Sequence, residues 1–595
     1  MTAPLQTPSE PRSFQIEKYL PVLAWVVPLV IFLPTLRFEF IYDDIQQILT
    51  DPLIRSWHNL PLLVSTDVWR FWNPAVIGNY WRPLFMVWLL VNYKLFGTHP
   101  MGWHLTSVVV NAAATYLCYR LVRRLTGSTF IAATGALIFA VHPVHLETVA
   151  WISGVTDSLM SVFLLLAFLC FVDGWESESA ATYGWFGLSA ACFGCSLLFK
   201  ETAVVLPGLL LAYVLLLDNR KSAQATGRWK AVAAASMYTV VVLLYAWGRH
   251  AALKGVDHTA IVISVPTLLL TWPSLLWFYL HHLLWPAGLS IFYDSAPVFH
   301  ADWKHFWLPL LAIAATVLVV AAVVPRNRRR LAMFAALWML LPLAPAFLLP
   351  SLFPTDYAHD RYLYLSCLGF AMLVALVVER FRGRSAGAIH GWYLPVAEVV
   401  MIGVALSVST SAQMVHWAND LLLYDRATEI APGDLMGFDG LGRTLLGRGR
   451  TREAMQTFRQ ILRVDPNHWS ALYDLGLDDF MNGDYREAEE FLTRAAALKS
   501  DNADTSALLA EVLNREGKYS EAEDSIRHAM AVQPAKASYR RVLADSLEGQ
   551  GKGAEAMKEM EDELRTHPDD EGARIFLKQH RSEKPPEPPG HRGGE

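Results

Sequence analysis

The stretch GRTLLGRGRTREAMQTFRQILRVDP, residues 442–466, returns in recognisable form 34 residues later as GLDDFMNGDYREAEEFLTRAAALKS, residues 476–500. Four marks recur in register at this spacing: a small residue, then an alanine, then a bulky apolar residue, and a proline at the end of the unit. They are Gly442, Gly476, Ala510 and Ala544; Ala454, Ala488, Ala522 and Ala556; Phe458, Leu492, Ile526 and Met560; and Pro432, Pro466, Pro534 and Pro568, with Ser500 in the missing proline's place. A fixed period of this length predicts stacked pairs of helices.

The period and its marked positions resemble the tetratricopeptide (TPR) repeat. We predict a TPR domain over residues 417–568, with four repeats from about residue 435 and an incomplete leading helix before them. A solenoid of this kind presents a concave surface to peptides or protein partners and catalyses nothing by itself. The tail at residues 581–595 is rich in Pro and Gly, which predicts disorder.

Upstream of the repeats the chain has the composition of a membrane protein. Of its 595 residues, 53% are hydrophobic and only 18% are charged. Apolar runs of about 18 residues or more, long enough to cross a bilayer, recur from Tyr19 to Thr410. We therefore predict an all-α fold: a polytopic helical bundle over residues 19–411, after an N-terminal tail at 1–18, followed by the TPR solenoid. Eleven spans are expected near 19–36, 102–122, 128–143, 155–172, 183–199, 202–218, 229–248, 306–325, 331–350, 362–379 and 392–411.

The positive charges beside these spans predict the orientation, because Lys and Arg favour the cytoplasmic side. They form four clusters: Arg120, Arg123 and Arg124; Arg220, Lys221, Arg228 and Lys230; Arg326 with Arg328 to Arg330; and Arg380, Arg382 and Arg384. With all four in the cytoplasm, the N-terminus is cytoplasmic, the first loop (37–101) is external, and the TPR domain lies on the periplasmic or lumenal side. The membrane is then a bacterial inner membrane or an ER-type membrane. Two apolar stretches, 83–96 and 265–285, do not fit as full spans and are predicted to be interfacial or re-entrant helices.

Most acids and histidines of the membrane part fall at the external ends of the predicted spans. Asp43 and Asp44 directly follow the first span, where a carboxylate could act as a general base toward an incoming hydroxyl. His142, His145 and Glu147 close the third span; their spacing admits a metal site, but Pro143 breaks the helix and no further ligand is near in sequence. Catalytic hydrogen bonding is therefore predicted there, and no metal.

Cationic residues stand on the same external side. Lys200 and Glu201 lie at the junction of two spans, and Arg361 and Tyr362 open another. Arg grips phosphate oxygens bidentately and Lys neutralises their charge, so these positions suit the phosphate of a lipid. The net charge of -5 offers no basic surface for nucleic acid, which is not expected as a partner.

In this order, the acidic pair, YWRPL (80–84), HPVHLETVAWISGVTDSL (142–159), LLFKETA (197–203), DRYLYLS (360–366) and TPR repeats resemble the TMTC-type O-mannosyltransferase group of the GT-C glycosyltransferase superfamily. The resemblance implies a GT-C fold, a polyprenyl-phosphate sugar donor (mannose in characterised members) and inverting transfer without a nucleotide sugar or an obligatory metal. The resemblance also implies roles for individual residues. The catalytic base would be Asp44, with Asp43 as the second candidate. The sugar and the acceptor would be bound by Arg82, His142, His145, Glu147 and Asp157, and the donor phosphate by Lys200, Glu201, Arg361 and Tyr362.

The function expected from the sequence is transfer of a sugar, mannose by the resemblance, to a hydroxyl of a protein recruited by the TPR array. Two alternatives remain open. The acceptor could be a glycolipid or a cell-wall glycan, with the TPR domain docking a partner. The chain could also be a non-catalytic envelope scaffold built on a degenerate transferase.

Overall fold

The computed structural model describes residues 19–72, 78–179, 181–218, 225–255, 263–351, 355–384, 393–534, 536 and 538–582. The predicted N-terminal tail at 1–18 lies outside these residues, and so does the predicted disordered tail from residue 583 onward. The chain divides into a membrane unit, Met1–Asp434, and a repeat unit, Leu435–Glu595. The described residues are helical and contain no strand, which confirms the all-α class.

The membrane unit is a bundle of helices joined by loops and by short 3₁₀ and π-helical turns. Its longer helices are Leu20–Phe32, Pro83–Phe96, Pro100–Thr126, Thr129–Val141, Thr156–Glu176, Ala181–Phe199, Leu206–Leu216, Ala225–Leu253, Val265–Leu284, Leu308–Val323, Arg329–Leu340, Leu363–Arg384, Tyr393–Met414 and Asp420–Ile430. Two shorter ones, Leu60–Ser65 and Leu146–Ala150, lie in the connections. Fully buried Trp103, Phe168, Trp338 and Leu368 lie at the centre of the packed bundle.

Nine helical stretches among the described residues are long and apolar enough to cross a membrane, and a tenth is added if one bent pair counts as a single span. The nine are Leu20–Arg37, Pro100–Thr126, Ile152–Glu176, Ala181–Phe199, Arg228–Leu253, Trp303–Val323, Arg326–Pro350, Asp360–Arg380 and Pro395–Trp417. The bent pair, at the predicted span 128–143, joins Thr129–Val141 to Pro143–Ala150 at 54°. The predicted span 202–218 corresponds to a shorter apolar helix, Glu201–Leu216. The predicted spans therefore all fall on apolar helices.

Local sequence explains where several helices end. Gly127 adopts φ +67 and its N–H bonds to the carbonyl of Arg123, which closes the helix Pro100–Thr126. Ser128 then caps the next helix, because its Oγ accepts the N–H of Ile131 at 3.3 Å. Pro143 lacks an N–H and produces the bend after Val141. These breaks bring polar residues to the ends of the spans.

The repeat unit consists of four helix pairs and a final helix. The pairs are Leu435–Gly447 with Thr451–Val464, Trp469–Asn482 with Tyr485–Leu498, Ala503–Arg515 with Tyr519–Val532, and Tyr539–Gly549 with Gly553–Thr566; the final helix is Glu571–Ser582. A Cβ on Gly442 would meet the ring of Phe458 at 2.5 Å, and one on Gly476 would meet Leu492 at 2.7 Å. The repeated small residue is therefore required where the two helices of a pair touch.

Candidate active site

A cavity of about 360 Å³ opens in the membrane unit, where the loop after the first span meets the ends of later helices. Its polar lining residues include Asp43, Gln47, Tyr80, Arg82, Ser153, Lys200, Glu201, Asp356, Arg361 and Tyr362. Phe85, Trp151, Pro342, Pro345, Ala346 and Leu349 contribute apolar surface. Six of the eleven site residues predicted from the sequence line this cavity, namely Asp43, Arg82, Lys200, Glu201, Arg361 and Tyr362.

Asp43 is the carboxylate of the acidic pair that faces the cavity. Its side chain is half-buried, and the charges of Arg361 and Asp356 act on it. Burial raises the pKa of Asp43 to about 7, with Asp356 adding to the rise and the cation Arg361 opposing it. A carboxylate with this pKa is half ionised near neutral pH, which suits a group that takes up a proton during a reaction.

Asp44 points away from the cavity into the protein. Its carboxylate accepts the N–H of Ser153 at 2.8 Å, the hydroxyl of Ser153 at 2.6 Å and the N–H of Ile41 at 3.3 Å. Its pKa is also raised to about 7 by burial, while the hydrogen bonds from Ser153 oppose the rise. The sequence-based ranking of Asp44 above Asp43 as the base stays a prediction; in the structure Asp44 joins the first loop to Ser153 and does not line the cavity.

Arg82 and Glu201 form a paired wall of the cavity. The Arg82 guanidinium donates to Glu201 through Nη2 at 2.7 Å and through Nε at 3.1 Å. The same guanidinium lies 4.8 Å from the ring centre of Tyr80. The Arg82 side chain is therefore fixed on two sides, which leaves a rigid donor surface toward the cavity.

Lys200 reaches the cavity at the break between two apolar helices, where its backbone is extended. Its ammonium lies 2.6 Å from Asp157, and both side chains are about 95% buried. Asp157 does not line the cavity, so it supports Lys200 from behind. Lys200 also lies 5.3 Å from the ring centre of Tyr362.

Arg361 is held in the same manner from the opposite side. Glu147 accepts the backbone N–H of Arg361 at 2.8 Å and pairs with its guanidinium. The guanidinium stacks over Trp151 at 5.6 Å and Tyr362 at 5.2 Å. Glu147 is buried and absent from the lining, so three cations face the cavity while two of their partner acids, Glu147 and Asp157, stay behind it.

The two predicted histidines lie away from the cavity. His142 is fully buried; its Nε2 lies 3.1 Å from the carbonyl of Leu283, and its Nδ1 caps the turn that follows. His145 packs against the rings of Phe139 and Tyr364, at 4.4 and 4.6 Å between ring centres. Neither histidine lines the cavity, so their predicted role in ordering the sugar or the acceptor stays a prediction.

The described residues contain no group of three or more His, Cys, Asp or Glu that could hold a metal ion. Sequence reasoning did not single out Ser153, whose backbone and hydroxyl hold Asp44, or Trp151, over which Arg361 stacks. Both lie inside the HPVHLETVAWISGVTDSL segment, so the motif itself was the available signal.

Two parts of this chain match known protein families. Residues 82–245 match the family described as dolichyl-phosphate-mannose-protein mannosyltransferase, and residues 440–503 and 479–546 match tetratricopeptide repeats. The first match includes Arg82, Glu147, Asp157 and Lys200 and ends before Arg361.

Three curated relatives carry related names. The chain is 24% identical over 550 residues to the Drosophila melanogaster protein O-mannosyl-transferase Tmtc3, an alignment that covers 80% of this chain and 58% of the relative. It is 25% identical to Homo sapiens protein O-mannosyl-transferase TMTC1, over 74% of this chain and 54% of the relative. It is 33% identical to Mus musculus protein O-mannosyl-transferase TMTC2, over 32% of this chain and 23% of the relative. The chain thus spans less than two thirds of these relatives.

Proposed function

We propose that this chain is a membrane mannosyltransferase, because residues 82–245 match the dolichyl-phosphate-mannose-protein mannosyltransferase family and residues 440–503 and 479–546 match TPR repeats, in keeping with the resemblance to the TMTC-type group. It transfers mannose from a polyprenyl-phosphate donor to a hydroxyl of a protein acceptor. The observation that carries this proposal is the cavity in which the carboxylate of Asp43 shares the lining with Arg82, Lys200 and Arg361.

The three cations suit the phosphate of the donor. A lipid phosphate brings negative charge that increases when the sugar leaves, and guanidinium and ammonium groups stabilise that charge best where water is excluded. Arg82, Lys200 and Arg361 are each held in place by a carboxylate, so little reorganisation is needed when the donor binds. The apolar residues Pro342, Pro345 and Leu349 on the same wall suit the start of an isoprenoid chain.

Asp43 is the proposed general base. Its carboxylate takes the proton of the acceptor hydroxyl as the acceptor oxygen bonds to the anomeric carbon of mannose. The bond from that carbon to the phosphate oxygen breaks, and its electron pair leaves with polyprenyl phosphate. Attack opposite the leaving group inverts the anomeric configuration, and the proposed reaction requires neither a nucleotide sugar nor an obligatory metal.

The TPR array is proposed to recruit the protein acceptor. A weakly bound peptide becomes a good substrate when a tethered domain raises its concentration near the membrane surface. This role requires the repeats and the cavity to face the same compartment, the periplasm or the lumen, as the four cytoplasmic clusters of Arg and Lys predict. An accessibility reporter fused after the last repeat tests that placement.

The direct test of the proposed function uses the full-length protein in lipid vesicles with radiolabelled polyprenyl-phosphate mannose and a fraction of exported proteins. Label appearing in protein, and released by mannosidase, supports the proposal. Label appearing only in lipid or glycan would establish the alternative acceptor. No transfer above that of vesicles alone, with donor and acceptors of both kinds present, would contradict the catalytic proposal and favour a scaffold.

A further inference from the structure

The loop that carries Asp43 has a strained backbone. Tyr42 adopts φ +52, a left-handed conformation that is unfavourable for a residue with a Cβ, because the Cβ approaches the following carbonyl oxygen. It lies in a tight turn in which the N–H of Asp44 bonds to the carbonyl of Ile41 at 3.0 Å. Because Tyr42 precedes Asp43 directly, its backbone conformation sets the direction in which the Asp43 side chain leaves the turn.

The strained residue is held from two directions. Its ring packs against Trp151 at 5.6 Å and Phe292 at 5.8 Å between ring centres. Its backbone N–H donates to the carboxylate of Asp420, whose Oδ1 lies 2.8 Å away. Asp420 stands 378 residues further along the chain, in the first turn of the helix Asp420–Ile430.

This helix packs closely against the first loop. The N–H of Glu39 bonds to the carbonyl of Ala418 at 3.0 Å, three residues before the Tyr42 contact. Trp417, Leu423 and Ala427 are buried in one apolar cluster with Ile41. The helix is also stabilised independently of the first loop, because Asn419 caps its first turn by accepting the N–H of Leu422 at 3.2 Å.

We propose that Asp420 is a positioning residue for the reaction: its carboxylate holds the Tyr42 N–H and so keeps the Asp43 side chain directed into the cavity. The inference rests on the proposed function for its catalytic meaning. Asp420 itself does not line the cavity, so it acts on the acceptor only through the 41–44 turn. The segment after the last span thereby becomes part of the catalytic unit.

The test compares Asp420→Ala, Asp420→Asn and the control Asp425→Ala in the full-length protein. Asp425 is exposed on the same helix, so its loss leaves the 41–44 turn untouched. Hydrogen–deuterium exchange of the peptide that contains Tyr42 reports the hydrogen bond without any need for activity. We expect exchange at the Tyr42 amide to become about tenfold faster in Asp420→Ala and to stay near wild type in Asp420→Asn, whose side-chain oxygen still accepts.

Kinetics then test the consequence for the reaction. A misdirected base slows the chemical step, so kcat of Asp420→Ala should fall about tenfold to a hundredfold while the KM for the donor changes less than about twofold. Asp420→Asn should recover most of the lost kcat. Unchanged exchange in Asp420→Ala, or a kcat equal to that of Asp425→Ala, would overturn the inference.

A second pair of variants tests the coupling between Asp420 and the backbone of Tyr42. Glycine adopts φ +52 without strain, so Asp420→Ala should cost less kcat in a Tyr42→Gly background than in the wild-type background. An equal cost in both backgrounds contradicts the positioning role. If Asp43→Asn transfers mannose at the wild-type rate, the proposed function itself fails; if Asp43→Asn is inactive but Asp420→Ala behaves like Asp425→Ala, only this inference fails.

Discussion

Two neighbouring carboxylates of the same sequence motif have different environments. Asp43 lines the cavity beside Arg361, whereas Asp44 is enclosed by Ser153 and the N–H of Ile41. Asp44 is fully buried, and its two oxygens accept hydrogen bonds from Ser153 and from the N–H of Ile41, so an acceptor hydroxyl does not reach them in this conformation. The proposed base is therefore Asp43, which lines the cavity, while Asp44 joins the first loop to Ser153.

The pH dependence of the reaction follows from Asp43. Burial raises its pKa to about 7, and only the ionised carboxylate accepts a proton. We therefore expect kcat/KM for the donor, measured in vesicles with saturating acceptor, to fall about tenfold for each pH unit well below 7 and to level off above pH 7. An acid limb with a midpoint near the ordinary carboxyl pKa of about 4 would contradict the assignment of Asp43.

Replacing Asp44 should affect stability more than chemistry. Asp44→Ala leaves the buried N–H and hydroxyl of Ser153 without their acceptor, which costs on the order of 2–3 kcal/mol. We expect a lower apparent melting temperature, with the loss of activity following the loss of folded protein. A fully folded Asp44→Ala protein with no transfer activity would return the catalytic role to Asp44.

The sequence could locate the acidic pair but could not order its two members. Which side chain enters the cavity depends on the left-handed backbone of Tyr42, and that conformation is held by Asp420 from the far end of the membrane unit. A contact between residues so distant in sequence has no local signature. The interior position of His142 has no local signature either, because its partner, the carbonyl of Leu283, is also distant in sequence.

Among the elements, helix breaks place the cations. Lys200 lies between the helix Ala181–Phe199 and the next apolar helix, Arg82 directly precedes Pro83, and Arg361 lies in the turn before the helix Leu363–Arg384. At such positions a long cationic side chain leaves a helix end and reaches a polar cavity without crossing hydrocarbon. Each cation is paired with an acid from a different element, so the pairs also join the helices.

Substitutions at Lys200 and Asp157 distinguish the stability that their ion pair contributes from the proposed role of Lys200 in donor binding. Asp157→Ala leaves a buried ammonium unpaired, so we expect the free energy of unfolding to fall by about 3–5 kcal/mol, read as a lower apparent melting temperature. The double variant Asp157→Ala with Lys200→Met removes both charges and should regain most of that stability. Its KM for the donor should nevertheless stay about tenfold or more above wild type, because the phosphate has lost a cation. A double variant with wild-type KM would exclude Lys200 from donor binding.

Across the whole molecule, the membrane unit extends past the last span. The sequence pattern predicts that unit to end at residue 411 and gives residues 417–434 to the repeats, but the helix Asp420–Ile430 packs within the membrane unit. The 34-residue period does not predict where this helix packs. A single helix before the first repeat shows the sequence pattern of half a repeat whether it packs on the next repeat or on another part of the chain. The four repeats and the order of apolar helices, in contrast, follow directly from periodicity and hydropathy.

Truncation separates the two units. A chain that ends after Asp434 keeps Asp420 and the buried residues Trp417, Leu423 and Ala427, whereas a chain that ends after Thr410 loses all of them. We expect the first to retain transfer to a short soluble peptide acceptor and to lose transfer to whole protein acceptors. The second should lose both activities, even at equal membrane abundance. Efficient whole-protein transfer by the chain ending at Asp434 would contradict recruitment by the repeats.

The most direct test is the rate of mannose transfer by full-length Asp43→Asn, compared with wild type and Asp425→Ala in the same vesicles. Asparagine keeps the size of the side chain and removes the base, so folding and donor binding should persist. We expect transfer to fall about a hundredfold or more, with Asp425→Ala at the wild-type rate. Transfer by Asp43→Asn at the wild-type rate would show that the cavity carboxylate is not the base.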